Sequence, residues 1–139
     1  MTDHLFNKKE IINLIVDFCI EPCGVLKDDI TGARVKFILA GYAVIDQEYI
    51  DYYVLNDSGK EMLLRQVEEL ESELVEFMEE NDGKRTVEEI CVWLNSKYEV
   101  NDVVICKKVY NYMKGHMEEW KISTVYSSAE GKYEQVIKK

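Results

Sequence analysis

Cysteine and histidine are the residue types with the greatest capacity for metal binding and nucleophilic catalysis, and this chain of 139 residues has four cysteines and two histidines. Cys19 and Cys23 flank Pro22 closely enough for two thiolates to approach one metal ion. A structural zinc site needs more ligands than one such pair supplies, and the two histidines, His4 and His116, lie in other segments. Nothing marks any one thiol as activated for nucleophilic attack. We therefore expect reduced, mostly buried thiols, with neither a metal site nor a disulfide framework.

Other catalytic patterns are not found in the sequence either. It has no glycine-rich phosphate loop, no nucleophile elbow and no pair of carboxylates that stands apart from the surface acids. The interpretation is a protein that is not an enzyme and that needs no cofactor.

Basic side chains at helical spacing suggest a different chemistry, the binding of DNA. Lys107, Asn111 and Lys114 are separated by four and three residues, so they share one face of a predicted helix, and Lys108 flanks them. Lysine neutralises backbone phosphates, and asparagine can pair with the edge of an adenine base. The alternative is an ordinary solvated helix face, because lysine is almost always exposed.

Two other groups of basic residues are candidates for phosphate contact. Arg34 and Lys36 lie in an earlier predicted helix, although two aspartates precede them. The C-terminal segment contributes Lys132, with Lys138 and Lys139 behind it. The alternative for each group is ordinary surface exposure, because lysine and arginine are mostly exposed and a basic C-terminal end is common.

The overall charge argues against a nucleic-acid-binding surface that covers the whole protein. The chain has 17 basic and 27 acidic residues, a formal charge of −10, which repels phosphate at long range. The excess acid is concentrated, since residues 1–60, 61–80 and 81–139 carry −4, −7 and +1. A phosphate-binding surface is therefore expected toward the ends of the chain. The hydrophobic content of 47% indicates a folded protein, and no apolar run is long enough for a membrane span or a signal peptide, so we expect a cytoplasmic protein.

Hydrophobic periodicity and capping residues predict the elements that position these side chains. The capping boxes Asn7 with Glu10 and Thr86 with Glu89 mark two helix starts. The predicted helices cover residues 7–20, 28–40, 56–80, 86–97 and 101–119. The predicted strands, rich in aromatic and β-branched residues, cover residues 42–46, 49–55, 120–126 and 132–137. Each half of the chain therefore runs helices first and a hairpin last.

The third predicted helix carries an apolar seam at heptad spacing and acidic residues on its other face. The seam consists of Leu63, Val67, Leu70, Leu74 and Phe77. One interpretation is packing within the monomer, and another is a dimer or partner interface that aligns two DNA-binding heads. A third is that the acidic face imitates a phosphate backbone and occupies a basic protein surface.

Parts of both halves resemble the winged-helix superfamily, a variant of the helix-turn-helix proteins. The segment ILAGYAVI at residues 38–45 is similar to the end of a recognition helix and the start of a wing in that superfamily. The ending of a wing in bacterial winged-helix regulators is similar to YVLNDSGKEMLL at residues 53–64, with Asn56 in place of the usual threonine. In the second half, residues 86–90 resemble a support helix, residues 101–119 a recognition helix and residues 120–137 a wing.

The resemblance implies an α+β, mainly helical fold of two winged-helix-like units, residues 1–57 and 81–139, joined by a long acidic helix at residues 58–80. It also implies a regulator of transcription that binds duplex DNA, with a homodimer through the acidic helix as the matching assembly. The alternative function is an acidic winged-helix adaptor or inhibitor that binds a basic surface of a nucleic-acid-processing machine.

Overall fold

The structure, a computed structural model, describes residues 5–117 and 120–138 and confirms an α+β fold that is mainly helical. The α-helices in the described residues are α1 (Lys8–Cys19), α2 (Ala33–Leu39), α3 (Asp57–Glu79), α4 (Val87–Tyr98) and α5 (Val103–His116). The strands are β1 (Val25–Leu26), β2 (Ala43–Ile45), β3 (Tyr52–Leu55), β4 (Lys84–Arg85), β5 (Lys121–Ser127) and β6 (Lys132–Lys138). None of the helices in these residues has the length and apolar character that a bilayer span requires.

The chain divides into two compact units, unit 1 (Met1–Val67) and unit 2 (Glu68–Lys139). The boundary lies inside α3, so the N-terminal part of this helix belongs to unit 1 and the C-terminal part to unit 2. The sequence predicts the acidic helix as a separate segment between two heads. In the structure each part of α3 belongs to one of the two units instead.

Unit 1 packs its helices and a three-stranded antiparallel sheet around Phe37, which is fully buried. The rings of Phe6, Phe18 and Tyr42 lie 5.9, 5.0 and 5.2 Å from the Phe37 ring, measured between centroids. The strand order is β1-β3-β2, so the first strand pairs with the last. The predicted Asn7 capping box is present at the start of α1.

The helix that the sequence predicts over residues 28–40 is wrong in its first part. A 3-10 helix covers Lys27–Asp29, and α2 begins only at Ala33. Gly32 separates the two with φ +56°, a left-handed conformation that glycine adopts without steric cost. The chain therefore turns between the short helix and α2.

Unit 2 has the order of elements that unit 1 shows before α3: helix, strand, helix, helix, strand, strand. Its sheet order is β4-β6-β5, which again pairs the first strand with the last. The predicted Thr86 capping box opens α4, and Asp102 caps α5. Helix α5 ends at His116, and the predicted end at Glu119 lies outside the described residues.

The heptad seam of α3 is part of the core. Its first four side chains are at most 1% exposed: Leu63, Val67, Leu70 and Leu74. Phe77 is half-buried, and its ring stacks on Trp93 with the centroids 5.2 Å apart. Such side chains cannot form an exposed interface unless the core opens, so the geometry favours packing within the monomer over dimerisation through the seam.

Candidate nucleic-acid interface

Helix α5 presents one buried and one exposed face. The Asp102 carboxylate accepts hydrogen bonds from the backbone N–H groups of Val104, at 2.9 Å, and Ile105, at 3.4 Å, which fixes the start of the helix. The inner face buries four side chains: Cys106, Val109, Tyr110 and Met113. The outer face exposes Val103, Val104, Lys107, Lys108 and Asn111.

The cationic part of that outer face is available to a ligand. Lys107, Lys108 and Asn111 are exposed, and their side chains make no hydrogen bond or ion pair with any residue that the structure describes. A phosphate can therefore bind them without first breaking an internal contact. Lys114 lies on the same helix but is half-buried.

Lys132 lies in a different part of unit 2. It lines a groove of about 540 Å³ together with Phe77, Arg85 and Trp93, and the α5 lysines do not line this groove. The geometry thus does not join Lys132 to the α5 stripe. Lys138 is exposed on β6, and Lys139 lies outside the described residues.

Arg34 is a structural residue and not a free cation. Its Nε and Nη2 atoms donate to the two carboxylate oxygens of Asp17, each at 2.9 Å. Its Nη1 atom donates to the backbone carbonyl of Asp29 at 2.7 Å. The hydrogen bonds to Asp17 hold the pKa of Arg34 above its ordinary value. Arg34 thereby ties α2 to α1 and to the 3-10 helix, so its assignment to DNA binding is corrected.

Lys36 is engaged in the same way. Its ammonium group lies 2.9 Å from a carboxylate oxygen of Glu10 and donates to the backbone carbonyl of Leu5 at 3.1 Å. It also lies 5.3 Å above the ring of Phe6. Because these contacts hold the start of α1, a phosphate has to displace them to bind Lys36, so Lys36 is a weaker candidate than the lysines of α5.

The Glu10–Lys36 pair predicts a dependence of stability on pH. The hydrogen bond from Lys36, with that from the Asn7 backbone, holds the pKa of Glu10 below its ordinary value of 4.5. Folding therefore gains stability from Glu10 at pH above that value and loses it as the pH falls through the folded-state pKa. We expect the free energy of unfolding, from urea titrations, to fall less for Glu10→Gln than for the wild type between about pH 6 and pH 3.

The matched control for this prediction is Glu48→Gln, which changes an exposed carboxylate outside these contacts. It should follow the wild type across the pH range. Parallel losses of stability in the wild type and in Glu10→Gln contradict the prediction.

The exposed surface of α2 is apolar, although α2 occupies the position in unit 1 that α5 occupies in unit 2. Leu39 is 81% exposed. Leu39 lines a cavity of about 290 Å³ together with Ile30, Val35, Ile38 and Tyr53. Among the described residues that line this cavity, Lys27 is the cationic one. Helical periodicity alone places these aliphatic residues with the apolar side of the predicted helix. The signal that it missed is their number, because α2 carries more apolar side chains than one buried face can cover.

Some acids of α3 have a structural explanation within unit 2. Glu71 Oε1 lies 3.0 Å from His116 Nδ1 of α5. Glu73 accepts a hydrogen bond of 2.6 Å from the Tyr98 hydroxyl of α4 and lies 3.7 Å from Lys97 Nζ. Burial and this bond raise the pKa of Tyr98. These carboxylates therefore anchor α4 and α5 to α3, which reduces the acid left for imitation of a phosphate backbone.

The thiols differ in exposure. Cys91 and Cys106 are buried, and burial raises the pKa of both, so they are protonated near neutral pH. Cys23 is exposed, and its Sγ donates to the backbone carbonyl of Cys19 at 3.5 Å. Among the described residues no group of three or more potential ligands is arranged to hold a metal ion.

The β5–β6 hairpin is fixed to α5 by a small polar network. The Tyr110 hydroxyl donates to Gln135 Oε1 at 2.6 Å, and Gln135 Nε2 donates to Thr124 Oγ1 at 3.1 Å. Gln135 is only 3% exposed, so these bonds satisfy a buried amide. The network holds the hairpin and the inner face of α5 in one arrangement.

Two exposed surfaces of opposite chemistry thus remain, the cationic stripe of α5 (Lys107, Lys108 and Asn111) in unit 2 and the apolar surface of α2 in unit 1. Comparisons of the chain with protein-family models, with curated proteins and with solved structures found no match. A function therefore rests on the chemistry of these two surfaces.

Proposed function

We propose that the protein is a non-catalytic, winged-helix-like DNA-binding regulator whose unit 2 contacts duplex DNA through the cationic stripe of α5. The observation that carries the proposal is the exposure of Lys107, Lys108 and Asn111 on one helix face, where their side chains form no hydrogen bond or ion pair with the described residues. Helix α5 also directly precedes the β5–β6 hairpin, as a recognition helix precedes a wing.

The arrangement of the sheets supports the winged-helix part of the proposal. In each unit a strand after the first helix pairs with the last strand of the hairpin, and two helices lie between them in the chain. A helix presented in this way fits the major groove of B-DNA. The two lysines then neutralise phosphates, and Asn111 reaches a base edge.

The experiment is a fluorescence-anisotropy titration of a labelled duplex of about 30 base pairs between about 50 and 200 mM salt. We expect binding that weakens with salt, with a slope of about −2 on logarithmic axes for two lysine contacts. No binding at about 50 mM salt, with protein in the 100 μM range where non-specific binding is normally detected, overturns the proposal.

The apolar surface of α2 favours a second function, the docking of a partner protein. Its cavity is lined by Val35, Ile38 and Leu39, and apolar side chains this exposed commonly mark protein interfaces. Asp28 and Asp29 lie in the chain between the lining residues Lys27 and Ile30, and their two exposed carboxylates outnumber the one positive charge of Lys27. Charge complementarity therefore selects an amphipathic helix with lysine or arginine beside its apolar face, and it disfavours a second copy of this acidic chain.

This second function predicts selective binding of a basic amphipathic peptide. A labelled helical peptide of leucine and lysine should bind, and the analogue with glutamate in place of lysine should bind at least about tenfold more weakly. Leu39→Asp should weaken the first peptide by about tenfold, as expected for an interface anchor. The readout is anisotropy of the labelled peptide.

The control is Leu64→Asp, which alters a leucine of α3 that is 43% exposed and does not line the cavity. Equal binding of the two peptides, or equal effects of the two variants, overturns docking at α2. Sedimentation tests a further outcome. If the wild-type protein self-associates and Leu39→Asp does not, the surface binds a second copy of the chain and not a basic partner.

A further inference from the structure

The tip of the β5–β6 hairpin carries a pair of exposed tyrosines that no contact in the core explains. Tyr126 and Tyr133 are cross-strand partners, and their ring centroids lie 5.1 Å apart. They are 57% and 65% exposed. The rings contact each other across the strands, yet more than half of each stays exposed, which leaves an aromatic surface for a ligand.

The strand register shows which way the two rings face. Ile122 pairs with Ile137, Thr124 with Gln135 and Tyr126 with Tyr133, and alternate pairs along a hairpin share one face. The first pair is buried, and Gln135 of the second pair accepts the hydrogen bond from Tyr110 of α5. The tyrosine pair therefore extends the face of the hairpin that is turned toward α5.

The chemistry of the pair suits the face of a nucleobase. The rings are tilted by 59° to each other, so they are not stacked face to face and leave π-surface open to a ligand. Aromatic side chains bind bases by stacking, whatever the sequence. Tyr110, which bonds to the hairpin from the inner face of α5, is three residues after Lys107 of the outer face, and residues at this spacing are neighbours on a helix.

We propose that Tyr126 and Tyr133 stack on an unpaired base, so that the preferred ligand of unit 2 is a duplex with a single-stranded junction. This inference rests on the proposed function, since α5 would hold the duplex arm. Inside a continuous duplex each base face is covered by its neighbours, whereas at a junction the first unpaired base offers an open face. The tyrosine pair then adds affinity only at junctions.

The experiment compares two labelled DNAs with the same duplex sequence. One is a dumbbell, a duplex closed at each end by a short linker that leaves no unpaired base free. The other is a fork with two unpaired thymine arms. We expect the wild-type protein to bind the fork about tenfold more tightly than the dumbbell, the size of one stacked base. Quenching of 2-aminopurine placed at the first unpaired position reports the stacking itself.

Two variants and a control test the role of the rings. Tyr126→Ala/Tyr133→Ala should abolish the preference for the fork and the quenching, and should leave dumbbell affinity unchanged. Tyr126→Phe/Tyr133→Phe should retain both, because stacking needs the ring and not the hydroxyl. Tyr49→Ala, which removes a tyrosine of unit 1 that is 62% exposed, should behave as the wild type.

The outcomes separate this inference from the proposed function. Equal affinity of the wild-type protein for dumbbell and fork overturns the role of the tyrosine pair and leaves duplex binding in place. Retention of the fork preference and the quenching in the alanine variant also overturns it. Failure to bind the dumbbell overturns the proposed contact between α5 and duplex DNA.

Discussion

Replacement of both Lys107 and Lys108 by alanine should weaken duplex binding by at least about tenfold near 100 mM salt and reduce the salt slope by about two. Each lysine that contacts a phosphate releases condensed counterions, and each contributes a little under one unit to the slope. The two side chains are exposed and make no hydrogen bond or ion pair with described residues, so the fold should not change. Anisotropy titrations at several salt concentrations measure both quantities.

The control removes the same charge elsewhere. Lys9→Ala/Lys60→Ala changes two exposed lysines of unit 1, on α1 and α3. If only the total charge matters, both double variants shift the affinity and the slope equally. That result contradicts a localised interface on α5.

Asn111→Ala separates positioning from base recognition at the same surface. Removal of an uncharged side chain should leave the salt slope unchanged while it reduces discrimination between DNA sequences. A change in slope would place Asn111 among the phosphate contacts instead.

Local patterns explain which elements the sequence could predict. The capping boxes of Asn7 with Glu10 and Thr86 with Glu89 involve residues three positions apart, so their hydrogen bonds are encoded within one turn. Strands β1 and β4 are two residues long and exist only because they pair with distant strands. No periodicity is measurable over two residues, and both strands were missed for that reason.

Cations with the same sequence signal have different roles in the structure. Arg34 is held by Asp17, which lies 17 residues away on α1, whereas Lys107 extends from an exposed helix face. Helical spacing identifies which side chains share a face, and it does not identify the acid that a tertiary fold brings opposite them. DNA binding by the α5 residues therefore stays a prediction, whereas Arg34 and Lys36 are held by internal carboxylates and Lys132 lines a different groove.

The strongly acidic character of α3 is compatible with a cationic stripe in unit 2 because several of its charges are used locally. Glu71 and Glu73 hold His116, Tyr98 and Lys97, so they stabilise the very helices that present and support the stripe. The stripe itself lies on the outer face of α5, opposite the side chains that pack inward. The net charge of −10 thus lowers long-range attraction for DNA without neutralising the lysines of the stripe.

Truncation of a side chain in the α3 seam should lower the stability of the fold and leave the oligomeric state unchanged. Leu70 is 1% exposed, so Leu70→Ala should lower the free energy of unfolding by about 2–5 kcal/mol, through lost burial and the cavity that remains. Urea unfolding measures the loss, and sedimentation velocity should give the same species for the variant as for the wild type.

Leu64→Ala provides the matched comparison on the same helix. Leu64 is 43% exposed, so its truncation should change the free energy of unfolding by about 0.5 kcal/mol or less. A seam that served dimerisation would give the opposite pattern, because Leu70→Ala would convert a dimer to a monomer at micromolar concentration and leave the monomer's stability nearly unchanged. The near-complete burial of Leu70 within one chain is the physical reason to expect the first pattern.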